Sequence, residues 1–131
     1  MKVLLDTHCL LWMIAQPGRL GPKTRKLLDD RGTELLLSAA SIFEISIKCS
    51  LGKLVLPQAP RDYLPPLLDR LDVRELAVTA LHAYRVSELP WHHRDPFDRL
   101  LIAQSFVERL PLVTADEQVL RYKNPHLDAA K

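Results

Sequence analysis

No stretch of this chain approaches the roughly 20 consecutive apolar residues that a bilayer-spanning helix needs. Its amino terminus, MKVLLDTH, sets an acid where a secretory signal would continue its apolar region. Together these absences predict a soluble, cytoplasmic protein. Cysteine is nearly missing: Cys9 and Cys49 each sit in an apolar segment, with no CxxC or Cys/His spacing suited to zinc, so reduced, packed thiols are expected. Aromatics are scarce, and a formal net charge of +2 is too small to identify a nucleic-acid binder, although it permits one. There is no repeat, low-complexity tract or charge run long enough to be a linker.

What the chain does have is 47% hydrophobic residues in a length of 131, which suits one compact domain with a core independent of disulfides. Short apolar runs alternate with helix-period segments, the pattern of an α/β fold with a mostly parallel sheet. Lys2 to Leu5 is a strand candidate, followed by an apolar helix through Leu10, Leu11 and Ile14 that Pro17-Gly18 stops. Pro22 to Asp30 reads as a helix and Glu34 to Leu37 as a second strand. A helix opening at Ser41 places Ile42, Ile45 and Cys49 at helical spacing and ends near Gly52. Pro60 to Leu71 looks helical despite Pro65-Pro66. Val73 to Val78 alternates like a strand, Thr79 to Leu89 like a helix, and Asp95-Pro96 starts an apolar helix reaching Arg109. A late strand at Leu112 to Thr114 precedes a short helix at Glu117 to Tyr122. Residues 124–131 are expected to be a loosely held tail.

In a parallel sheet the carboxyl ends of the strands share one edge, and ligands bind in the crevice outside it. Asp6 directly follows the first strand, Glu44 lies near the start of the helix after the second, and Asp116 follows the last. Asp98, in the first turn of its helix, joins them if that helix begins at the same edge. Such acids repel unless protonated or neutralised by a cation. Mg²⁺ takes oxygen ligands and substrate phosphate, so the constellation suggests phosphodiester hydrolysis. Helix capping competes with this reading: Glu44 fits a capping box with Ser41, Asp98 follows the N-cap Asp95 by three residues, and Asp116 could cap the final helix. Asp6 could cap the first helix, but it ends an apolar strand where an unpaired carboxylate is costly.

Four stretches carry a family resemblance: VLLDTH at 3–8, SIFEISIK at 41–48 with GKL at 52–54, HRDPFDRLLIAQ at 93–104, and LVTAD at 112–116. In this order they resemble the PIN-domain ribonucleases, in particular the VapC-type toxins of bacterial toxin–antitoxin pairs. The resemblance implies a PIN-like three-layer α/β/α sandwich around a central, mostly parallel sheet. It also implies RNA cleavage dependent on Mg²⁺ or Mn²⁺, homodimerisation, and inhibition by a cognate antitoxin. Carried over by position, it makes Asp6 and Asp98 direct metal ligands, with Glu44 and Asp116 binding directly or through water. Thr7 and Thr114 would support the acids or a metal-bound water.

Lys48, Lys53, Arg94 and Arg99 lie on these segments and are the cations expected to hold RNA phosphates. His8, His92 and His93 lack zinc-ligand spacing and are read as surface or packing residues. The first helix, with Leu10, Leu11, Trp12, Met13 and Ile14, has more apolar surface than one buried face needs, so part of it is expected to meet an antitoxin or a second subunit. Three other readings compete. A haloacid-dehalogenase-like phosphatase wants a second acid where this chain has His8, and a flap nuclease carries additional elements. A degenerate PIN module that only binds RNA or protein would not need all four acids.

Overall fold

The computed structural model describes residues 1–131. Its elements run β1 (Lys2–Leu5), α1 (Thr7–Ala15), α2 (Pro22–Asp29), β2 (Glu34–Ser38), α3 (Ala39–Ser50), α4 (Pro60–Arg70) and β3 (Val73–Leu76). They continue with α5 (Ala80–Val86), α6 (Pro96–Glu108), β4 (Leu112–Thr114) and β5 (His126–Asp128). Single 3₁₀ turns lie at Pro17–Arg19 and Val119–Arg121. All strand pairs are parallel, in the order β3-β2-β1-β4-β5. The expected three-layer α/β/α arrangement is present.

Period-2 alternation splits the sheet between two cores. Val3, Leu5, Leu35, Leu37, Val73 and Val113 face Cys9, Leu10, Leu28, Ile45 and Leu64 from α1 to α4. Leu4 and Leu112, with the partly buried Leu36 and Leu76, face Leu101, Ile102 and Tyr122 on the other side. Each fully buried leucine contributes about 1.5–3 kcal/mol. Leu11, Trp12, Met13 and Ile14 all pack partly buried against the first core, so most of the surplus apolar surface expected on α1 is used internally.

Some boundaries differ from the sequence expectation, while α4 runs as expected. Helix α3 begins at Ala39, because the Ser38 hydroxyl at the end of β2 accepts from the Ala40 amide at 3.0 Å and caps the helix three residues early. Pro65 and Pro66 sit inside α4 without ending it; both rings are exposed, where the carbonyls they leave unpaired can meet water. The short helix expected at Glu117 to Tyr122 is only the 3₁₀ turn.

The loosely held tail is corrected outright. His126–Asp128 forms the edge strand β5, and Ala129 is fully buried. The Gly21 and Lys23 amides donate to the Ala129 and Lys131 carbonyls, both at 2.9 Å. A side chain at Gly21 would stand 2.3 Å from the Lys131 backbone, so this docking requires a glycine. A three-residue strand with polar ends carries little periodicity, and its order comes from β4 and α2 rather than from its own sequence.

Candidate metal centre

Parallel pairing of β1 with β2 and β4 brings the carboxyl ends of all three strands to one edge. Asp6 stands at the N-cap position of α1, yet its side chain makes no capping hydrogen bond. Instead the Thr114 hydroxyl donates to Asp6 Oδ2 at 2.7 Å, reaching across from β4. Oδ1 of Asp6 is buried with no donor. The early start of α3 puts Glu44 in its second turn rather than in a capping box. There Glu44 Oε2 accepts from Lys48 Nζ at 2.7 Å, while Oε1 is buried with no donor. The Thr7 hydroxyl donates to Ser41 at 2.8 Å, tying α1 to α3 rather than holding an acid.

At the start of α6, Asp95 does the capping, its Oδ1 accepting from the Phe97 and Asp98 amides. That leaves the Asp98 carboxylate free to face the edge, where its Oδ2 lies 2.7 Å from His93 Nε2. His93, Asp98 and Asp116 bring one ligand atom each within 4.8 Å of one another. Asp116 also serves its own turn, its Oδ1 accepting from the Gln118 and Val119 amides. The structure therefore gathers Asp6, Glu44, Asp98 and Asp116 at one edge and adds His93, which the sequence reading assigned to surface or packing. His93 belongs to the irregular segment before α6, and only the turn created by the Asp95 cap aims its ring at Asp98.

Burial raises the Asp6 carboxyl above its ordinary range, opposed by the Thr114 hydrogen bond and reinforced by the Glu44 charge. Asp98 is pushed up to about 7 by burial and by the Asp6 charge, against the opposing hydrogen bond from His93. The Glu44 hydrogen bond raises Lys48. Leaving a charged oxygen buried and unpartnered costs at least about 1–3 kcal/mol, and two such oxygens among mutually repelling acids ask for a cation. An all-oxygen set with one neighbouring imidazole suits a hard divalent ion. The cleft beside Asp6 and Asp116 has a volume of about 340 Å³, and His8, Trp12, Arg19 and Ala115 complete its walls. A larger hollow of about 760 Å³ near the end of α3 contains no carboxylate and is set aside as the chemical site.

The four cations separate clearly. Lys48 is engaged by Glu44, whereas Lys53 and Arg94 are exposed. Arg99 is a correction: only 2% exposed, it donates to the Pro90, His93, Val86 and Leu89 carbonyls and to the Tyr122 hydroxyl, and Trp91 covers it at 3.8 Å. No part of its guanidinium is available to an RNA phosphate.

A parallel α/β sheet whose central strands deliver a buried, partly unsatisfied carboxylate cluster defines a class of α/β proteins with an acidic site whose oxygen donors suit a hard divalent ion. The PIN domain profile matches residues 3–125, and the chain belongs to that family. It is 29% identical over 124 residues to Ribonuclease VapC22 of Mycobacterium tuberculosis (strain ATCC 25618 / H37Rv), covering 94% of this chain and 93% of the relative. Ribonuclease VapC16 of the same organism is 38% identical over 60 residues, 46% of this chain and 43% of the relative. Among solved structures, VapBC2 from Rickettsia felis bound to a DNA fragment from its promoter superposes with a TM-score of 0.70 at 17% identity, over 98% of both chains. DNA-bound VapBC from Salmonella typhimurium gives 0.71 at 16% identity, again over 98% of both. At such identities these superpositions speak for the fold.

Proposed function

We propose that this protein is a metal-dependent endoribonuclease, the toxin of a toxin–antitoxin pair, hydrolysing RNA phosphodiesters at the carboxylate cleft. The observation that carries this reading is the pair of buried, donor-less oxygens, Asp6 Oδ1 and Glu44 Oε1, beside Asp98 and Asp116. Asp6 and Asp98 would hold Mg²⁺ or Mn²⁺ directly, with Glu44 and Asp116 binding directly or through water. When bound, such an ion supplies Lewis acidity toward a phosphoryl oxygen and makes a neighbouring water more acidic.

The chain's own residues prepare that site. Thr114 engages one oxygen of Asp6 and Lys48 one oxygen of Glu44, which leaves the second oxygen of each buried without a donor. The contact of His93 Nε2 with Asp98 Oδ2, at 2.7 Å, fixes the orientation of that carboxylate. Similarity to Ribonuclease VapC22 along nearly the whole chain supports RNA as the substrate. The likeness to VapBC assemblies supports a cognate antitoxin, and the exposed Leu51, Val55, Leu81 and Tyr84 offer apolar surface for it or for a second copy in a homodimer. No helix is long and apolar enough to cross a membrane, and we place the activity in the cytoplasm.

The test is incubation of partner-free protein with transfer RNA, ribosomal RNA and single-stranded DNA, in Mg²⁺ or Mn²⁺ and in EDTA. Discrete RNA fragments that disappear with EDTA and with Asp6→Asn are expected. Intact RNA under every metal, or an Asp6→Asn protein that cuts like the parent, would overturn the assignment.

A further inference from the structure

Acids are only one wall of the cleft that holds Asp6 and Asp116. The others are His8 and Trp12, one helical turn apart on α1, and Arg19 from the 3₁₀ turn that follows. The Arg19 guanidinium carbon lies 4.6 Å from the centre of the Trp12 ring, with the His8 ring 6.3 Å from that ring. Arg19 is exposed, and the one hydrogen bond of its side chain is a long 3.4 Å contact to Gln16 Oε1. It shares a cleft with two carboxylates and pairs with neither; the ion pairs of the molecule all lie elsewhere. With Lys48 held by Glu44 and Arg99 buried, Arg19 is the cation on a wall of this cleft that is free to receive an anion.

We infer that Trp12 and Arg19 form a nucleotide subsite beside the scissile phosphate, with single-stranded RNA as the ligand. This inference rests on the ribonuclease reading. On binding, the guanidinium leaves the indole for a phosphate oxygen, for which its planar fork of N–H donors is suited. A nucleobase takes its place on the ring. Stacking on an indole accepts any base, because every base has a π face, so the subsite grips the strand without reading its sequence. Trp12 follows Asp6 by six residues, less than two turns of α1 and about 9 Å along its axis, which sets the gripped nucleotide near the bond exposed to the acids.

The test uses Asp98→Asn protein, which holds RNA uncut, with Trp91→Phe added so that Trp12 is the sole tryptophan. Binding of a single-stranded oligoribonucleotide is followed by the anisotropy of a label on the RNA and, with unlabelled RNA, by Trp12 emission. The emission is expected to fall saturably in step with the anisotropy. Arg19→Gln should weaken binding about tenfold and reduce the salt slope by about 0.7, the value for one phosphate contact on a single strand. Trp12→Leu should weaken it by a similar factor, and unchanged melting temperatures would exclude misfolding as the cause. In otherwise unmodified enzyme, Arg19→Gln should raise KM while leaving kcat close to the parent value. When the unmodified enzyme cuts RNA, an RNA that binds the Asp98→Asn protein with constant Trp12 emission, or that binds equally with and without Arg19→Gln, overturns the subsite alone. Protein that binds no RNA overturns both this inference and the ribonuclease reading.

Discussion

Asp98 and Arg99 are neighbours in the chain, both withdrawn from solvent, and their charges are treated in opposite ways. Arg99 is surrounded by four carbonyls, a tyrosine hydroxyl and an indole face, so its buried charge is fully answered by the protein. Asp98 has one hydrogen-bonding partner, His93, and stands where Asp6 repels it. One side chain closes the segment from Val86 to His93 onto α6. Its neighbour leaves an electrostatic demand that folding does not meet. Among buried charges, completeness of the surrounding hydrogen bonds separates those that hold the fold from those kept for a ligand.

The contrast is sharpest in a pair of substitutions. Asp98→Asn should lower RNA cleavage by about a hundredfold to a thousandfold, the usual range for removing a preorganised electrostatic group, as measured by single-turnover cleavage in Mg²⁺. The same change removes a buried charge, so the metal-free protein should not melt lower than the parent. Arg99→Met should do the reverse. It strands several buried carbonyls and should cost about 3 kcal/mol or more in urea unfolding, while molecules that remain folded cut RNA at close to the parent rate. An Arg99→Met protein with parental stability but weakened RNA binding would reverse the assignment of that residue.

A smaller effect follows from pH. The folded-state values of Asp6 and Asp98 are raised, so below the unfolded carboxyl range both states are protonated and neither group costs anything. As pH climbs from about 4 through about 7, the unfolded chain loses these protons before the native one, and the native state loses stability. In EDTA the melting temperature should therefore fall by a few degrees between pH 5 and pH 8, taking about 2–4 °C per kcal/mol as the scale. Mg²⁺ should restore it, and more strongly at pH 8 than at pH 5. Melting that is flat with pH in EDTA would show that the cluster is less strained than its geometry requires.

Much of this was legible in the residues. Apolar runs that stop at an acid located β1 and Asp6, and Asp95-Pro96 located the start of α6. Parallel pairing then placed four distant carboxylates on one edge. What sequence could not deliver depends on contacts between elements. The Arg99 side chain looked like a surface cation because nothing local announces that carbonyls from 86 to 93 will converge on it. His93 gained its place only through the turn before α6, and α3 started early because Ser38 doubles as strand end and cap. β5 is ordered by its neighbours, so its own three residues could not reveal it.

The hydrogen bond from Thr114 to Asp6 joins residues 108 positions apart, and Leu4 pairs with Leu112 over the same span. Contacts so distant in sequence carry a loop-closure cost that local contacts do not, so β4 is expected to dock on β1 late in folding. Asp6 is oriented and Asp116 is delivered only by that step. A partly folded chain therefore holds its acids apart, and the cleft comes into being together with the completed sheet.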